Sequence, residues 1–537
     1  MANTRFSSGE LVTADKLNTV NPSIISTGGS EDRTLADRAA DVAHVSDYGS
    51  VQAALDSTAK VVVFEEGTSY AITSELTTAV ENRTIIGYGA TLTSTSAVGG
   101  ENVVIAVKAH YTSIYGLTIT GNSASNGIGI EELAGVSDFC RIEGCNISGF
   151  TDGGAILTRN TTKGHFIVNN VIDNCEPGTA GGQYGSIQCN ASGSVVSGNR
   201  ITTTKQTGIS VQGGGSGSNN IRIANNFIEW DGGSSTDSGG IIIDGTADSC
   251  VISGNTILGG RVEGIQIATS GTYVSSNHVI ANNVVKDCDV SGITLYSATT
   301  VGNLRRIMIS GNMLSYEGSP SGSPASAGLE LVGGKFVNFS ANYVNGYDKG
   351  VAVATPSPDI TINGNTFNAN ATVGIQIHGH YWNVTGNQIE GVLATTSGLT
   401  FNATTTAGNQ LVEGNLVKNC ATGIVGTFDN ANPVFIRNNY FFGNTADYTY
   451  SGDRPDNSRD NIFDTTQLSG EATLVAGSVN VTTTRLLDDD EIVLALKTAG
   501  GTPGAPYIYS KNAGGELFTI KSTNGSDTSI YYWQIMR

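Results

Sequence analysis

Acidic residues recur at fixed offsets from a glycine that opens a short apolar segment of the chain. The residues of this set are Asp237, Glu263 and Asp289, which precede Gly240, Gly264 and Gly292 by three, one and three positions. Two carboxyl groups held near each other can act as a proton donor and as a base or nucleophile. The spacing therefore predicts an acid–base site, provided that the glycines stack on one another in the fold.

Each candidate also has a plainer interpretation. An exposed carboxylate on a repetitive β protein is usually a solvated or edge-blocking charge. The lone His378 is ordinarily a surface hydrogen-bonding residue, and Trp230, in "IEWDGGSSTDSGG", can pack in its loop or at a seam between subunits. The cluster outweighs its members, because only 14% of residues are charged.

A recurring asparagine indicates what positions these residues. Stretches such as "VVSGNRIT", "VISGNTIL" and "VEGNLVKN" repeat two apolar residues, a Gly-Asn or Asn-Asn pair and another apolar residue. The recurring positions are Asn122, Asn146, Asn170, Asn199, Asn226, Asn255, Asn283, Asn312, Asn342, Asn365, Asn387, Asn415 and Asn439. Steps of 22 to 30 residues are typical of a solenoid, propeller or array.

Between the asparagines lies a second motif, in which apolar residues alternate after a glycine. It reads "GISV" at Gly208, "GIQI" at Gly264 and "GITL" at Gly292, so each repeat holds at least two short strands. This pattern predicts an all-β chain built on a right-handed parallel β-helix, whose equivalent positions stack about 4.8 Å apart. Asparagine suits the turns, because it tolerates the left-handed conformation and its amide can bond to asparagines above and below.

The two ends of the chain lack this repeat. Residues 1–45 are expected to form an N-terminal anchor or adaptor segment, and residues 46–465 the β-helix, capped by a short helix near Val51–Asp56. Residues 466–537 are expected to form five strands of a small antiparallel, sandwich-like domain for trimerisation or binding. Such a domain is small for an independent core, so oligomerisation would supply the missing burial.

Composition narrows the possible partners. The net charge of −19 argues against nucleic acid and against an anionic membrane surface. The N-terminus has no apolar signal segment, so we expect synthesis in the cytoplasm without a signal peptide. The seven cysteines show no metal-ligand spacing, and the periodic Cys175, Cys288 and Cys420 are expected to be reduced and buried. We expect no metal and no cofactor.

Three regions resemble bacteriophage tailspikes of the pectate-lyase-like β-helix group. "RTLADRAADVAHVSDYGSVQAALDS" looks like the segment that leads from a virion anchor into the helix, and the asparagine repeat looks like the helix body. "IVLALKTAGGTPGAPYIYSKNAGGELFTIKSTNGSDTSIYYWQI" is similar to a small C-terminal domain of phage spikes. The order of the three parts is more specific than any one part.

The resemblance implies a homotrimer on the virion that binds, and usually cleaves, a bacterial surface polysaccharide, either capsule or O-antigen. It also implies attachment to the phage tail, a baseplate or another spike through the N-terminus. Most such spikes resemble glycosidases with two carboxyl groups, about 5–5.5 Å apart for retention or about 6.5–9.5 Å for inversion. Asp237 and Asp289, two coils apart, would lie roughly 10 Å apart at Cα.

Several further residues are expected to bind the glycan. Arg261 would orient a carboxylate or lower its pKa, and Trp230 would stack on a sugar. Four positions after the recurring glycine lies a mixed aromatic and polar strip with Glu330 projecting beside it: Gln212, Asp244, Tyr296, His378 and Asn402.

Three other functions remain open from the sequence. A polysaccharide lyase would use Lys205, Arg261 or Tyr296 around a uronate carboxylate. A receptor-binding spike would hold the glycan without cutting it. A bacterial surface or secreted β-helix protein is disfavoured by the absence of a signal segment.

Overall fold

The structure is a computed structural model of the 537-residue chain. It describes residues 40–94, 103–121, 126–130, 137–151, 153–159, 161–175, 185–203, 207–230, 239–260, 262–269, 271–297, 303–318, 327–392, 395–402, 410–428, 434–452, 461–463, 469–483, 486, 490–512 and 517–536. The expected anchor, residues 1–45, lies almost wholly outside the described residues. The chain divides into two compact units, residues 1–202 and 203–537.

Each unit is wound as a right-handed parallel β-helix. A coil has three short strands, which we call first, second and third in chain order, starting from the strand that carries the glycine motif. Each strand pairs in parallel with the equivalent strand of the next coil, as in Ile265, Ile293, Leu329 and Val351, which are in register and fully buried. The core is therefore a set of stacked aliphatic side chains, and the expected fold is confirmed.

In the first unit, the first strands are Leu76–Thr78, Val103–Val107, Asn126–Ile130, Ile156–Thr158 and Gly185–Cys189. The second strands are Val42–His44, Val61–Val63, Thr84–Ile86, Ser113–Tyr115, Arg141–Glu143, Phe166–Val168 and Val195–Ser197. The third strands are Ser69–Ile72, Thr91–Ser94, Thr118–Thr120, Asn146–Ser148, Val171–Asp173 and Arg200–Thr203.

In the second unit, the first strands are Thr207–Asn219, Ile241–Asp248, Glu263–Thr269, Ser291–Ser297, Ala327–Val332, Lys349–Thr355, Val373–Ile377, Ser397–Phe401, Thr422–Phe428 and Ala446–Gly452. The second strands are Arg222–Ala224, Val251–Ser253, Ser275–Ser276 with Val279–Ala281, Leu304–Ser310, Gly334–Ser340, Ile360–Asn363, Asn383–Thr385, Gln410–Glu413 and Val434–Arg437. The third strands are Phe227–Trp230, Thr256–Leu258, Val284–Lys286, Met313–Ser315, Tyr343–Asn345, Thr366–Asn370, Gln388–Gly391, Leu416–Lys418, Tyr440–Phe442 and Ile462–Phe463.

The asparagine ladder stabilises the turn between the second and third strands. Asn283 is fully buried, and its Nδ2 donates to Asn312 Oδ1 at 2.9 Å and to the Ile252 carbonyl at 3.0 Å. The same bonds recur along the second unit and extend the ladder one step beyond the sequence prediction, to Asn461. The predicted stacking of amide side chains is therefore confirmed.

The left-handed conformation belongs to the residue before the ladder position. Asn225, Asn282 and Asn438 have φ of 56°, 55° and 54°, and glycines take the same place in other coils. The Gly-Asn or Asn-Asn pair thus combines a left-handed residue with a buried amide, whereas we expected one asparagine to serve both purposes. Asn146 is not a ladder residue: it is exposed, and Cys145 takes the buried position and donates its N–H to Asn170 Oδ1 at 2.9 Å.

The recurring glycine is required by the core. A Cβ added to Gly264 would lie 2.2 Å from Val285 Cγ1, and one added to Gly328 would lie 2.2 Å from Val344 Cγ1. The glycine and the following aliphatic residue are both buried. This places the residue one before the glycine and the residue two after it together on the side of the first strand that faces away from the core.

The first unit begins with the expected cap. A 3₁₀ turn, Val45–Asp47, precedes the helix Val51–Leu55, and the Ser50 side chain accepts the N–H of Ala53 at 3.1 Å as its N-cap. Arg83 is fully buried beneath the helix and donates to the carbonyls of Leu55, Ser57 and Ala59. The arginine thereby satisfies carbonyl groups at the helix C-terminus.

The C-terminal residues form two antiparallel sheets of three strands each. One sheet is Ser469–Thr473, Ile530–Met536 and Glu491–Thr498, and the other is Ser478–Thr482, Leu517–Ser522 and Pro506–Asn512. The described residues thus hold six strands here rather than five, because "SGEATLVAGSVNVT" forms two strands, one in each sheet, joined by a turn with a bridge between Val475 and Ser478. Their shared core contains Phe518, Tyr531 and Trp533.

All seven cysteines are buried free thiols. Cys288 and Cys420 are fully buried, as expected from their periodic positions. None of the described helices is long and apolar enough to cross a membrane.

Candidate functional site

A polar cluster lies on the first strands of the second unit, on the side away from the core. Glu263 stands one residue before Gly264 and pairs in register with Ser291, and Ser291 pairs with Ala327. Glu330 lies on the same strand as Ala327, two residues after its glycine. Glu263 and Glu330 are therefore on strands two coils apart, with one intervening strand between them.

The intervening strand links the two glutamates by hydroxyl groups. Ser291 Oγ donates to Glu330 Oε2 at 3.2 Å and lies 2.5 Å from Thr294 Oγ1. Ser291 and Thr294 are both buried, so these polar groups are shielded from bulk water. Shielding strengthens the interaction between nearby charges, and it makes the protonation state of each carboxyl depend on its neighbours.

The electrostatic environments of the two glutamates differ. Burial raises the pKa of Glu263, and the negative charge of Glu330 raises it further, against the opposing effects of a backbone hydrogen bond and, less strongly, of a hydrogen bond with Gln266. Burial also raises the pKa of Glu330, but hydrogen bonds from Ser291 and Thr294 and the positive charge of Lys349 all favour its ionised form. The pKa of each glutamate is therefore raised, but only Glu330 has a described cation beside it that opposes the shift.

Gln266 adds an acceptor to this cluster. It pairs in register with Thr294 of the next coil, and nine-tenths of its surface is buried. Its Oε1 atom has no hydrogen-bond partner among the described residues. A buried acceptor without a donor is costly, so this atom is suited to receive a substrate hydroxyl or a water.

Asp244 and Tyr296 lie beside the glutamates, and both are four residues after the glycine of their strand, so they belong to one column of stacked positions. Asp244 pairs in register with Ala268, and Ala268 pairs with Tyr296, so the small alanine leaves a notch between two larger side chains. Burial raises the pKa of Asp244, with the Gly245 N–H opposing. Tyr296 is 40% exposed, which leaves part of its ring free to contact a sugar.

Two of the residues from the sequence prediction, Asp237 and Arg261, lie outside the described residues, as does Lys205. Asp289 is at the corner between the third and first strands, where its backbone N–H donates to the Gly260 carbonyl at 2.9 Å. Its Oδ1 accepts from the Tyr316 hydroxyl at 3.2 Å.

Trp230 and His378 lie outside the glutamate cluster. Trp230 ends a third strand and packs beside Gly259, where a Cβ would be 3.5 Å from the Trp230 Cβ. His378 follows the end of the first strand Val373–Ile377, beyond a register shift at Leu331 and Val332 that interrupts its column. Burial lowers the pKa of His378.

Sequence reasoning named both glutamates but did not pair them, and it missed Gln266, Ser291, Thr294 and Lys349. The pairing of the two glutamates could have been found from their offsets from the glycine, because the residue one before the glycine and the residue two after it face away from the core on the same side. The described residues contain no group of three or more His, Cys, Asp or Glu side chains arranged to hold a metal ion.

Family models match three parts of the chain. Residues 466–536 match the K1 capsule-specific polysaccharide lyase, C-terminal domain. Residues 186–344 match the right handed beta helix region, and residues 303–480 match the periplasmic copper-binding protein NosD. Each match covers less than half of the chain, so together they characterise regions of it. No curated protein matches the sequence.

Solved structures resemble the chain over nearly its whole length. A double mutant of the tailspike protein of E. coli bacteriophage HK620 has a TM-score of 0.53 at 11% identity, covering 97% of this chain and 98% of that chain. Another mutant of that tailspike, in complex with a pentasaccharide, has a TM-score of 0.50 at 11% identity, with coverage of 97% and 98%. At this identity the likeness concerns the fold alone: the chain has the parallel β-helix fold that is also found in a bacteriophage tailspike.

Proposed function

We propose that the protein is a phage tailspike that binds a bacterial surface polysaccharide, capsule or O-antigen, and cleaves it by endo-glycosidic hydrolysis. The observation that carries this proposal is the Glu263–Glu330 pair, two carboxyl groups in one shielded cluster, of which only Glu330 has, in the described part of the chain, a neighbouring cation and two hydroxyl groups that favour its ionised form. The likeness in fold to a tailspike crystallised with a pentasaccharide supports the choice of substrate class.

In this mechanism Glu263 donates a proton to the glycosidic oxygen as the bond breaks. Glu330, whose ionised form is favoured by Ser291, Thr294 and Lys349 against the effect of burial, acts as the base for a water or as the nucleophile. Gln266 Oε1 accepts a hydrogen bond from a substrate hydroxyl, and Tyr296 contacts a sugar face. The anomeric configuration of the first product, followed by NMR, decides between inversion and retention.

The test uses capsules and O-antigens purified from a panel of strains, digested by the full chain and analysed by mass spectrometry. Glu263→Gln and Glu330→Gln should each reduce turnover by about 10²–10⁴-fold while glycan binding persists. Glu413→Gln, which removes a carboxylate paired with Arg437 elsewhere on the helix, should leave turnover unchanged. Wild-type rates in both site variants would refute the assignment.

The carboxylates named from their spacing give a competing assignment. Asp237→Asn and Asp289→Asn test it in the same assay. If these variants lose turnover and the glutamate variants do not, the acid and the base are Asp237 and Asp289, as their spacing predicts, with Arg261 beside them. If no variant and no wild-type protein cleaves any glycan that it binds, the protein is a receptor-binding spike without hydrolytic activity.

A polysaccharide lyase is the second candidate, favoured by the match of residues 466–536 to the C-terminal domain of a capsule-specific lyase. A lyase must neutralise a uronate carboxylate and remove the neighbouring proton. Lys349 is a cation beside the cluster, and it already interacts with Glu330. An ultraviolet-absorbing unsaturated uronate at the new chain end would establish the lyase and exclude the hydrolase.

We further propose that residues 1–45 attach the protein to the phage tail, a baseplate or another spike. In this arrangement residues 46–465 form the helix, and residues 466–537 help to hold a homotrimer.

A further inference from the structure

A second cluster lies beyond the other end of the first strands, where the chain turns into the second strands of the second unit. We call it the corner patch, and it consists of Arg305, Arg306, Lys335, Phe336 and Tyr381. It shares no residue with the glutamate cluster. Arg305 and Lys335 pair in register on neighbouring strands, so their side chains start about 4.8 Å apart.

The backbone of the corner patch is unfavourable for the side chains that it carries. Arg306, Phe336 and Tyr381 have φ of 56°, 54° and 59°, in the left-handed region. The equivalent position in four other coils of this unit is filled by Asn220, Ser249, Asn277 and Asp359, short polar residues that tolerate this conformation. In the first unit Tyr111 and Phe139 fill the same position and stack on each other, with ring centres 5.4 Å apart, whereas Arg306 has no ring contact among the described residues. An exposed arginine held in this conformation without such a contact indicates a use other than folding.

The charges of the corner patch are also unusual for this chain. Arg305 and Arg306 are adjacent and exposed, and neither has a carboxylate partner among the described residues. Lys335 lies 4.7 Å from the ring centre of Phe336 and 3.6 Å from Asp359 Oδ2. In a chain with 47 acidic and 28 basic residues, two unpaired neighbouring guanidinium groups are well placed to attract an anion.

The aromatic side chains narrow the kind of anion. Phe336 is 50% exposed and Tyr381 is 53% exposed, and both lie on the same column as Arg306, with Asp359, which pairs with Lys335, on the coil between them. An aromatic ring offers an apolar surface that fits the apolar face of a pyranose, and a guanidinium binds a carboxylate in a bidentate manner. We propose that the corner patch is a second, non-catalytic glycan site, which holds an acidic sugar of the uronate class on the polysaccharide.

This site is independent of the proposed hydrolysis and can be tested without knowing the natural glycan. The probe is trigalacturonate, with neutral maltotriose beside it, and binding to the full-length protein is followed by saturation-transfer NMR and titration calorimetry at low salt. We expect the wild type to bind the uronate and not the neutral sugar, and added salt to weaken binding. Absence of uronate binding, or equal binding of maltotriose, would overturn the proposal.

Matched variants locate the site. Arg305→Gln and Arg306→Asn should each weaken uronate binding at least about tenfold, since each removes a charge-assisted bidentate contact. Arg222→Gln removes the same charge from an exposed position on another second strand and should have no effect. Glu263→Gln should also bind the uronate normally, so failure of the proposed hydrolysis and failure of this site give different results. Equal binding by all variants would place the uronate elsewhere.

Thermal stability separates a binding role from a structural one. Arg306→Asn and Phe336→Asn restore the residue type of neighbouring coils, so they should raise the melting temperature while they abolish or weaken uronate binding. If both variants melt at lower temperature than the wild type, the bulky side chains serve packing of the corner, and the proposal fails.

Discussion

Substitution of one buried ladder asparagine tests how much the amide stack contributes to stability. Asn283 lies in the middle of the ladder and is fully buried. Its side chain takes part in four hydrogen bonds: two donated to Ile252 O and Asn312 Oδ1, and two accepted from the backbone N and the Nδ2 of Asn255. Asn283→Ala removes all four and leaves the Asn255 N–H without its acceptor.

The magnitude follows from these bonds. Three of the bonds contribute about 1 kcal/mol each, and the Asn255 N–H, left buried without an acceptor, costs about 1–3 kcal/mol, which together give a loss of about 4–6 kcal/mol. The β-helix is large, so each kcal/mol moves its melting temperature by only about 1 °C. We expect a decrease of roughly 4–6 °C in calorimetry, with the oligomeric state unchanged in light scattering.

Asn146→Ala is the matched control, because it makes the same change at an exposed position that is not part of the ladder. It should leave the melting temperature within about 1 °C of the wild type, as for most surface substitutions. If Asn283→Ala and Asn146→Ala have the same effect, the buried amide stack does not contribute to stability as the hydrogen bonds indicate.

Three further predictions concern pH, packing and assembly. Burial lowers the pKa of His165 to about 3 and that of His278 to about 4, so between about pH 6.5 and about pH 4 these histidines bind protons only in the unfolded chain. The free energy of unfolding should therefore fall as the pH is lowered from about 6.5 to 4, by up to about 1.4 kcal/mol per pH unit for each histidine. Chemical denaturation of His278→Gln should depend less on pH than that of the wild type. Gly264→Ala puts a Cβ 2.2 Å from Val285 Cγ1 and should destabilise the protein by about 1–3 kcal/mol in chemical denaturation, whereas an unchanged midpoint would show that the core yields there. A chain ending at Asp464 should lose or weaken the proposed trimer in light scattering, and a full trimer at nanomolar concentration would contradict that role for the C-terminal domain.

The fold was predictable because its signals are local and repeated. A β-helix sets the same demand in every coil, so Asn226, Asn255 and Asn283 report one structural position several times. The sequence alone did not separate the left-handed residue from the buried amide, since asparagine can occupy both positions, as at Asn225 and Asn226. The sequence around Asn146 resembles the motif, but Cys145 occupies the buried ladder position in that coil.

The candidate site was less predictable, because side-chain direction at the coil corner does not follow simple alternation. Counting by twos from Glu263 places Gln266 on the opposite side, yet Gly264 and Ile265 are both buried and return Gln266 to the side of Glu263. The same arrangement brings Ser291 beside Thr294 and, through it, places Glu330 in the cluster. Simple alternation along the strand would therefore put Glu263 and Glu330 on opposite faces. They lie on the same face because the glycine between these positions, which has no room for a Cβ, is buried together with the residue after it. In a β-helix of this kind, outward residues should be compared by their distance from the corner glycine, and acidic residues one before it should be paired with those two after it up to two coils away.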